Sequence, residues 1–134
     1  MPAPRRPAAA KGDLTPAQHE IMSLAWEAGD SGLTVAEIWQ AIAARRDVRR
    51  TTVLTLVDRL EKRGWLRRWE AEGVLRYTAT IDRATSESRL ASSFLADFFG
   101  GSPAQFVQSL LGSRSVSPRE LERLRRLLDE AKRP

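Results

Sequence analysis

The chain contains no cysteine, which excludes disulfides, thiolate metal sites and a cysteine nucleophile. It has a single histidine, His19. Zinc sites and serine–histidine systems need imidazole with placed partners, so little of that chemistry remains, and His19, beside Glu20, reads as a partly exposed surface residue. No apolar run approaches the roughly 20 residues of a membrane-spanning helix, and residues 1–13 lack the apolar middle of a signal peptide. The expectation is a cytoplasmic protein with no membrane insertion, no metal and no cofactor. The carboxylate pairs Asp58/Glu61 and Glu70/Glu72 fall on an amphipathic segment and beside a turn, where solvation accounts for them, so no enzyme is expected.

What is present is a folding composition with localised charge. The 134 residues, 42% hydrophobic and 29% charged, can bury one core, or a small domain plus an appendage. A net charge of +5 leans toward a polyanionic partner. The lean sharpens between Arg45 and Arg68. That stretch holds nine basic residues (Arg45, Arg46, Arg49, Arg50, Arg59, Lys62, Arg63, Arg67, Arg68) against Asp47, Asp58 and Glu61, more net positive charge than the whole chain.

Residues 1–13, with Pro2, Pro4, Pro7, Arg5, Arg6 and Lys11, read as a flexible basic arm. Thr15-Pro16 starts a first helix reaching about Ala28, with Thr15 as cap and proline where no N–H is needed. Its expected buried stripe is Ala17, Ile21, Leu24, Ala25 and Ala28. Leu33 can form a minimal strand before a capping box, Thr34-Val35-Ala36-Glu37, that opens a second helix running to about Arg45. In the third segment, up to Gly64, Val53, Leu56, Val57 and Leu60 repeat at i, i+3, i+4, i+7 and face a core. Thr52, Thr55, Arg59 and Lys62 keep the same spacing on another face. Trp65–Glu70 and Val74–Ala79 have strand composition, with a hairpin turn at Ala71-Glu72-Gly73.

Helix, helix, helix, hairpin is the order of a winged helix-turn-helix. Three further helices follow: one capped by Asp82 or Thr85 and reaching about Phe99, a short one from Pro103, and one opened by a second capping box at Ser117-Pro118-Arg119-Glu120. The expected fold class is therefore mainly α with a small β-hairpin: a basic arm over 1–13, a winged-helix DNA-binding domain over 14–81, and a helical region over 82–134. The last region carries Leu90, Phe94, Phe98, Phe106, Leu110, Leu121, Leu124 and Leu128 with little chain left to cover them. Burial against a second copy follows, and a homodimer is expected.

The segments Leu14-Thr15-Pro16-Ala17-Gln18-His19-Glu20-Ile21-Met22 with Leu24 and Trp26, Thr51-Thr52-Val53 with Thr55-Leu56 and Arg59-Leu60, Lys62-Arg63-Gly64-Trp65-Leu66, Tyr77, and Val116-Ser117-Pro118 resemble the penicillinase-repressor family. The resemblance covers nearly the whole chain. It implies a homodimeric winged-helix repressor that binds a palindromic operator in double-stranded DNA through its third helix. In some members a membrane-bound sensor leads, through a protease pathway, to cleavage at a C-terminal Asn-Phe bond; the matching pair here is Ser109-Leu110. Others sense copper through C-terminal cysteines, which this chain lacks.

The expected labour on DNA is divided. Thr51, Thr52 and Thr55, short enough to bring the helix backbone close, read bases. Arg59 and Lys62, with the wing residues Arg67, Arg68 and Arg76, reach phosphates. Arg49 and Arg50 stand at the helix start, where guanine edges and backbone are both in reach. Two other readings stay open at this point: a small-molecule-responsive winged helix with Trp39, Phe94 and Phe98 lining a pocket, and a winged-helix protein-interaction module without DNA binding.

Overall fold

The computed structural model describes residues 10–134. Local signals set the helix starts. Thr15 caps α1 (Pro16–Ala28) in a full capping box, its hydroxyl accepting from the Gln18 amide while Gln18 Oε1 accepts from the Thr15 amide. Thr34 and Glu37 repeat the device at α2 (Val35–Ala43). Asp82 accepts from the Thr85 amide at α4 (Arg83–Phe98), and Ser102 and Ser117 cap α5 (Pro103–Gly112) and α6 (Pro118–Lys132). Each cap satisfies amides that the first helical turn leaves without a partner. At Ser117 the hydroxyl takes the Glu120 amide, one half of the expected box.

The exception is α3 (Arg50–Lys62). Its N-cap residue, Arg49, makes no side-chain cap and its first turn holds no acid. Its far end is closed tightly: the Trp65 amide bonds Leu60 O at 2.9 Å and the Gly64 amide bonds Glu61 O at 3.0 Å. This pair of bonds requires a left-handed residue between helix and strand, which Gly64 supplies at φ 81°.

β1 (Leu66–Ala71) and β2 (Val74–Ala79) pair antiparallel, with Arg68 opposite Tyr77 and Trp69 opposite Arg76. Leu33 adds a third, one-residue rung, exchanging both backbone bonds with Tyr77. The preceding Gly32 has φ 69°, and a Cβ there would stand 2.8 Å from Tyr77 O. Gly32→Ala should therefore destabilise the domain by more than about 1 kcal/mol, read as a lowered midpoint in urea unfolding.

The architecture is a winged helix-turn-helix followed by C-terminal helices. The chain divides into two compact units, up to Leu90 and from Ala91 onward, and the division falls inside α4. The core of the first unit joins Ile21, Met22 and Ala25 to Ile38 and Ile42, to Val53, Val57 and Leu60, and to Trp65, Leu66, Tyr77 and Ile81. In α1 the buried stripe differs from expectation. It is Gln18, Ile21, Met22 and Ala25, a regular helical spacing rotated away from Ala17, Leu24 and Ala28. Gln18 is turned inward because its amide is used in the cap and by Arg63, 3.3 Å away. A polar residue in a buried row hides that row from hydropathy patterning.

The basic arm also ends differently. Residues 1–9 of it lie outside the described residues, but Ala10 is buried and Lys11 is fastened to the end of α3. Lys11 O accepts from Arg63 and from Trp65 Nε1, and the Lys11 amide bonds Arg63 O. The stretch from Ala10 to Asp13 is thus part of the fold rather than a free arm. No helix among the described residues is long and apolar enough to cross a membrane.

Candidate nucleic-acid interface

The face of α3 away from the core carries Arg50, Thr51, Thr52, Leu54, Thr55, Asp58, Arg59 and Lys62, all exposed. Val53, Val57 and Leu60 anchor the opposite face in the core and Leu56 packs at its margin. Anchoring on one side makes the other a rigid platform, because the helix cannot roll without unpacking those side chains. The three threonines differ. The Thr55 hydroxyl donates to Thr51 O at 3.0 Å, the back-bond a helical threonine readily makes. Its hydrogen is thereby committed to the helix, while the methyl group and a lone pair remain.

At the start of the helix, the Arg50 guanidinium lies 5.9 Å over the Trp39 ring, and Trp39 Nε1 bonds Val48 O at 3.0 Å. The stack holds a long cation beside the open end of α3 at reduced entropic cost. Trp39 belongs to the first unit and has these uses within it; Phe94 and Phe98 belong to the second.

The arginines separate into two groups. Among the described residues Arg49, Arg59, Arg67 and Arg68 make no side-chain hydrogen bond or ion pair. Lys62 pairs with Asp58 at 3.0 Å, an exposed bond one turn apart that is readily exchanged for a phosphate. By contrast Arg46 and Arg45 share Glu20, at 2.7 and 3.4 Å. Arg63 bonds Lys11 O and Asp13 O, the latter at 2.7 Å.

Arg76, expected among the wing residues that reach phosphates, has partners within the protein. Its guanidinium does not stand free on the wing but donates to Ser31 O at 2.9 Å and Gly32 O at 3.2 Å, and lies 3.6 Å from Glu37. Hydrogen bonds from Thr34, backbone first and side chain second, hold the Glu37 carboxyl below its ordinary value, and Arg76 adds to this. Because the folded value is depressed, this support is present above the unfolded carboxylate range and is lost as pH falls through the folded value. Arg76 therefore ties β2 to the start of α2. Arg76→Ala should cost about 1.5–3 kcal/mol of stability, the worth of hydrogen bonds from a charged donor, with the salt dependence of any DNA binding unchanged. Urea unfolding and binding titrations at several salt concentrations measure the two effects.

On β1 successive side chains point to opposite faces, so Arg67 and Arg68 are sent in different directions, Arg68 into solvent and Arg67 half-buried.

The second unit has a different character. From Ala91 to Pro134 no residue is buried. Phe94, Phe98, Phe99 and Phe106 do form an aromatic cluster, with ring centroids 5.2–5.8 Å apart. Yet Phe98 remains 71% exposed and Leu128 64%, and Phe94, Val107, Leu111, Leu121 and Leu127 are exposed as well. Phe106, Leu110 and Leu124 are half-buried. Leu90, the last residue of the first unit, is also exposed. Sequence reading overlooked Phe99, which the spacing of the Phe94/Phe98 stripe did not include. It also overlooked Leu54, an apolar residue off the buried stripe of α3.

The penicillinase repressor family profile matches residues 14–130. The chain is 25% identical over 118 residues to a penicillinase repressor of Staphylococcus aureus, covering 88% of this chain and 92% of that protein. It is 26% identical over 119 residues to a penicillinase repressor of Bacillus licheniformis, covering 89% and 91%. With the methicillin resistance regulatory protein MecI of Mammaliicoccus sciuri it shares 22% identity over 118 residues, covering 88% and 94%.

Proposed function

The chain belongs to the penicillinase repressor family, and from that premise we infer that it represses transcription as a homodimer bound to a palindromic operator. The observation that carries this reading is the exposed face of α3. It combines short hydroxyl and methyl groups, the cations Arg50, Arg59 and Lys62, and an N-terminus with no side-chain cap. Amides left open at a helix start favour a phosphate oxygen, and Arg49 and Arg50 flank that point.

In this reading Thr51, Thr52 and Thr55 meet base edges, while Arg59, Lys62, Arg67 and Arg68 position the domain on the backbone. Arg49 and Arg50 serve the helix start. The uncovered apolar faces of α4, α5 and α6 support pairing with a second copy through Leu90, Phe94, Phe98, Phe106, Leu110, Leu121, Leu124 and Leu128, since two such faces can remove each other from water. A dimer presents two α3 helices to successive major grooves, about 34 Å apart. Occupation of a promoter by such a dimer blocks polymerase.

Genome-wide mapping of bound sites tests the reading. The expected result is an inverted repeat with half-site centres about 10 base pairs apart or a multiple of that. No enriched motif, together with no salt-dependent duplex binding, would defeat it. Arg68→Ala should weaken operator and random DNA alike and reduce the slope of log affinity against log salt by about 1 per lost phosphate contact. An unchanged slope removes Arg68 from the backbone contacts.

A further inference from the structure

We propose that Leu54 reads a thymine methyl group in the major groove and is a specificity-determining residue of this chain. The proposal rests on the reading that α3 enters the groove, and goes beyond it in naming the base and the atom recognised.

Four large apolar residues besides Leu54 lie on α3, and Val53, Leu56, Val57 and Leu60 all pack in or against the core. Leu54 is 51% exposed. It is the one apolar residue on the exposed face, three positions after Thr51 and directly before Thr55, so its side chain rises from the same platform as the threonines. A leucine has no hydrogen bond to offer, which leaves the polar edges of a base pair no gain from it. The one apolar group presented in the major groove by the four standard bases is the C5 methyl of thymine.

The neighbouring side chains strengthen the argument. Thr55 has its hydroxyl hydrogen committed to Thr51 O, so its methyl adds to the apolar surface that Leu54 begins. Asp58, one turn further on, is paired with Lys62 at 3.0 Å. Its charge is thereby compensated beside the apolar spot. Scattered exposed leucines are ordinary on protein surfaces. This one is distinguished by standing where every other exposed residue of α3 is polar and where the major groove would present a matching methyl.

The test uses the full chain and deoxyuridine. A duplex is selected from a randomised library by the wild-type protein, and each thymidine in it is replaced singly by deoxyuridine, which removes only the 5-methyl group. Wild type should lose about three- to tenfold affinity at one thymine per half-site, the scale of one or two buried methyl groups. Leu54→Ala should bind the unmodified duplex more weakly by a similar factor and show no further loss at that position. Leu54→Met, which keeps an apolar side chain, should retain the sensitivity. Identical deoxyuridine profiles for wild type and Leu54→Ala overturn the proposal while leaving operator binding intact. Failure to select any duplex overturns the operator reading itself, and the proposal with it. Because Leu54 is half in solvent, thermal unfolding of Leu54→Ala should match wild type, which separates recognition from folding.

Discussion

Leu124→Asp combined with Leu128→Asp should yield monomers in sedimentation and lower operator affinity by about 10²–10⁴-fold, the factor lost when two linked binding events become independent. The residues from Ala91 onward contain no buried side chain, although α4, α5 and α6 carry phenylalanine and leucine at helical spacing. An isolated unit of this kind keeps much of its apolar surface in water, and the proposed pairing with a second copy would remove it. A carboxylate placed in such an interface would have to be desolvated without a partner, at a cost of several kcal/mol. Leu128 is 64% exposed, so its replacement costs the single chain little and the effect falls on association. The salt dependence should fall by about half, since one domain neutralises half the phosphates. Dimers persisting in sedimentation would move the interface away from α6. Monomers that still bind an inverted repeat at wild-type affinity would sever dimerisation from operator recognition.

The second large effect is expected at the threonines. Thr52→Ala should weaken operator binding by about 1–3 kcal/mol and leave binding to random duplex nearly unchanged. Alanine is the better helix former, by a few tenths of a kcal/mol, so such a loss cannot come from an unravelled α3. Thr55 should behave in a more particular way. Its hydroxyl donates to Thr51 O, so Thr55→Val, which keeps the shape and the methyl, should bind within about 0.5 kcal/mol of wild type. Thr55→Ala should lose about 1 kcal/mol, the value of one buried methyl group. Competition titrations with operator and random duplex measure both. An equal loss for Thr55→Val and Thr55→Ala would mean that the hydroxyl leaves the helix to meet a base.

Glu37 and Arg76 show how far a local reading reaches. The box between Thr34 and Glu37 spans four residues, and nothing outside those residues is needed to see it. Arg76, by contrast, looks from its strand position like a wing cation. Its partners at Ser31 and Gly32 lie 45 and 44 residues away. The same contrast separates Val57, whose burial follows from periodicity alone, from Gln18, whose burial depends on the approach of Arg63.

What the sequence determined by itself is therefore the set of elements. Five helix starts are written in Thr15, Thr34, Asp82, Ser102 and Ser117, the buried rows of α2 and α3 in their spacing, and the hairpin in its composition. These features involve residues within a turn or two of one another, so the chain states them directly. Tertiary structure decided which cations are spent inside the protein and which face outward. Arg45 and Arg46 go to Glu20, Arg63 to Lys11 and Asp13, and Arg76 to Ser31 and Gly32, whereas Arg49, Arg59, Arg67 and Arg68 make no side-chain bond among the described residues. The physical reason is the arginine side chain itself. Its long stem and five donors can satisfy any carbonyl or carboxylate that folding brings near, and nothing in the neighbouring residues records which one that will be.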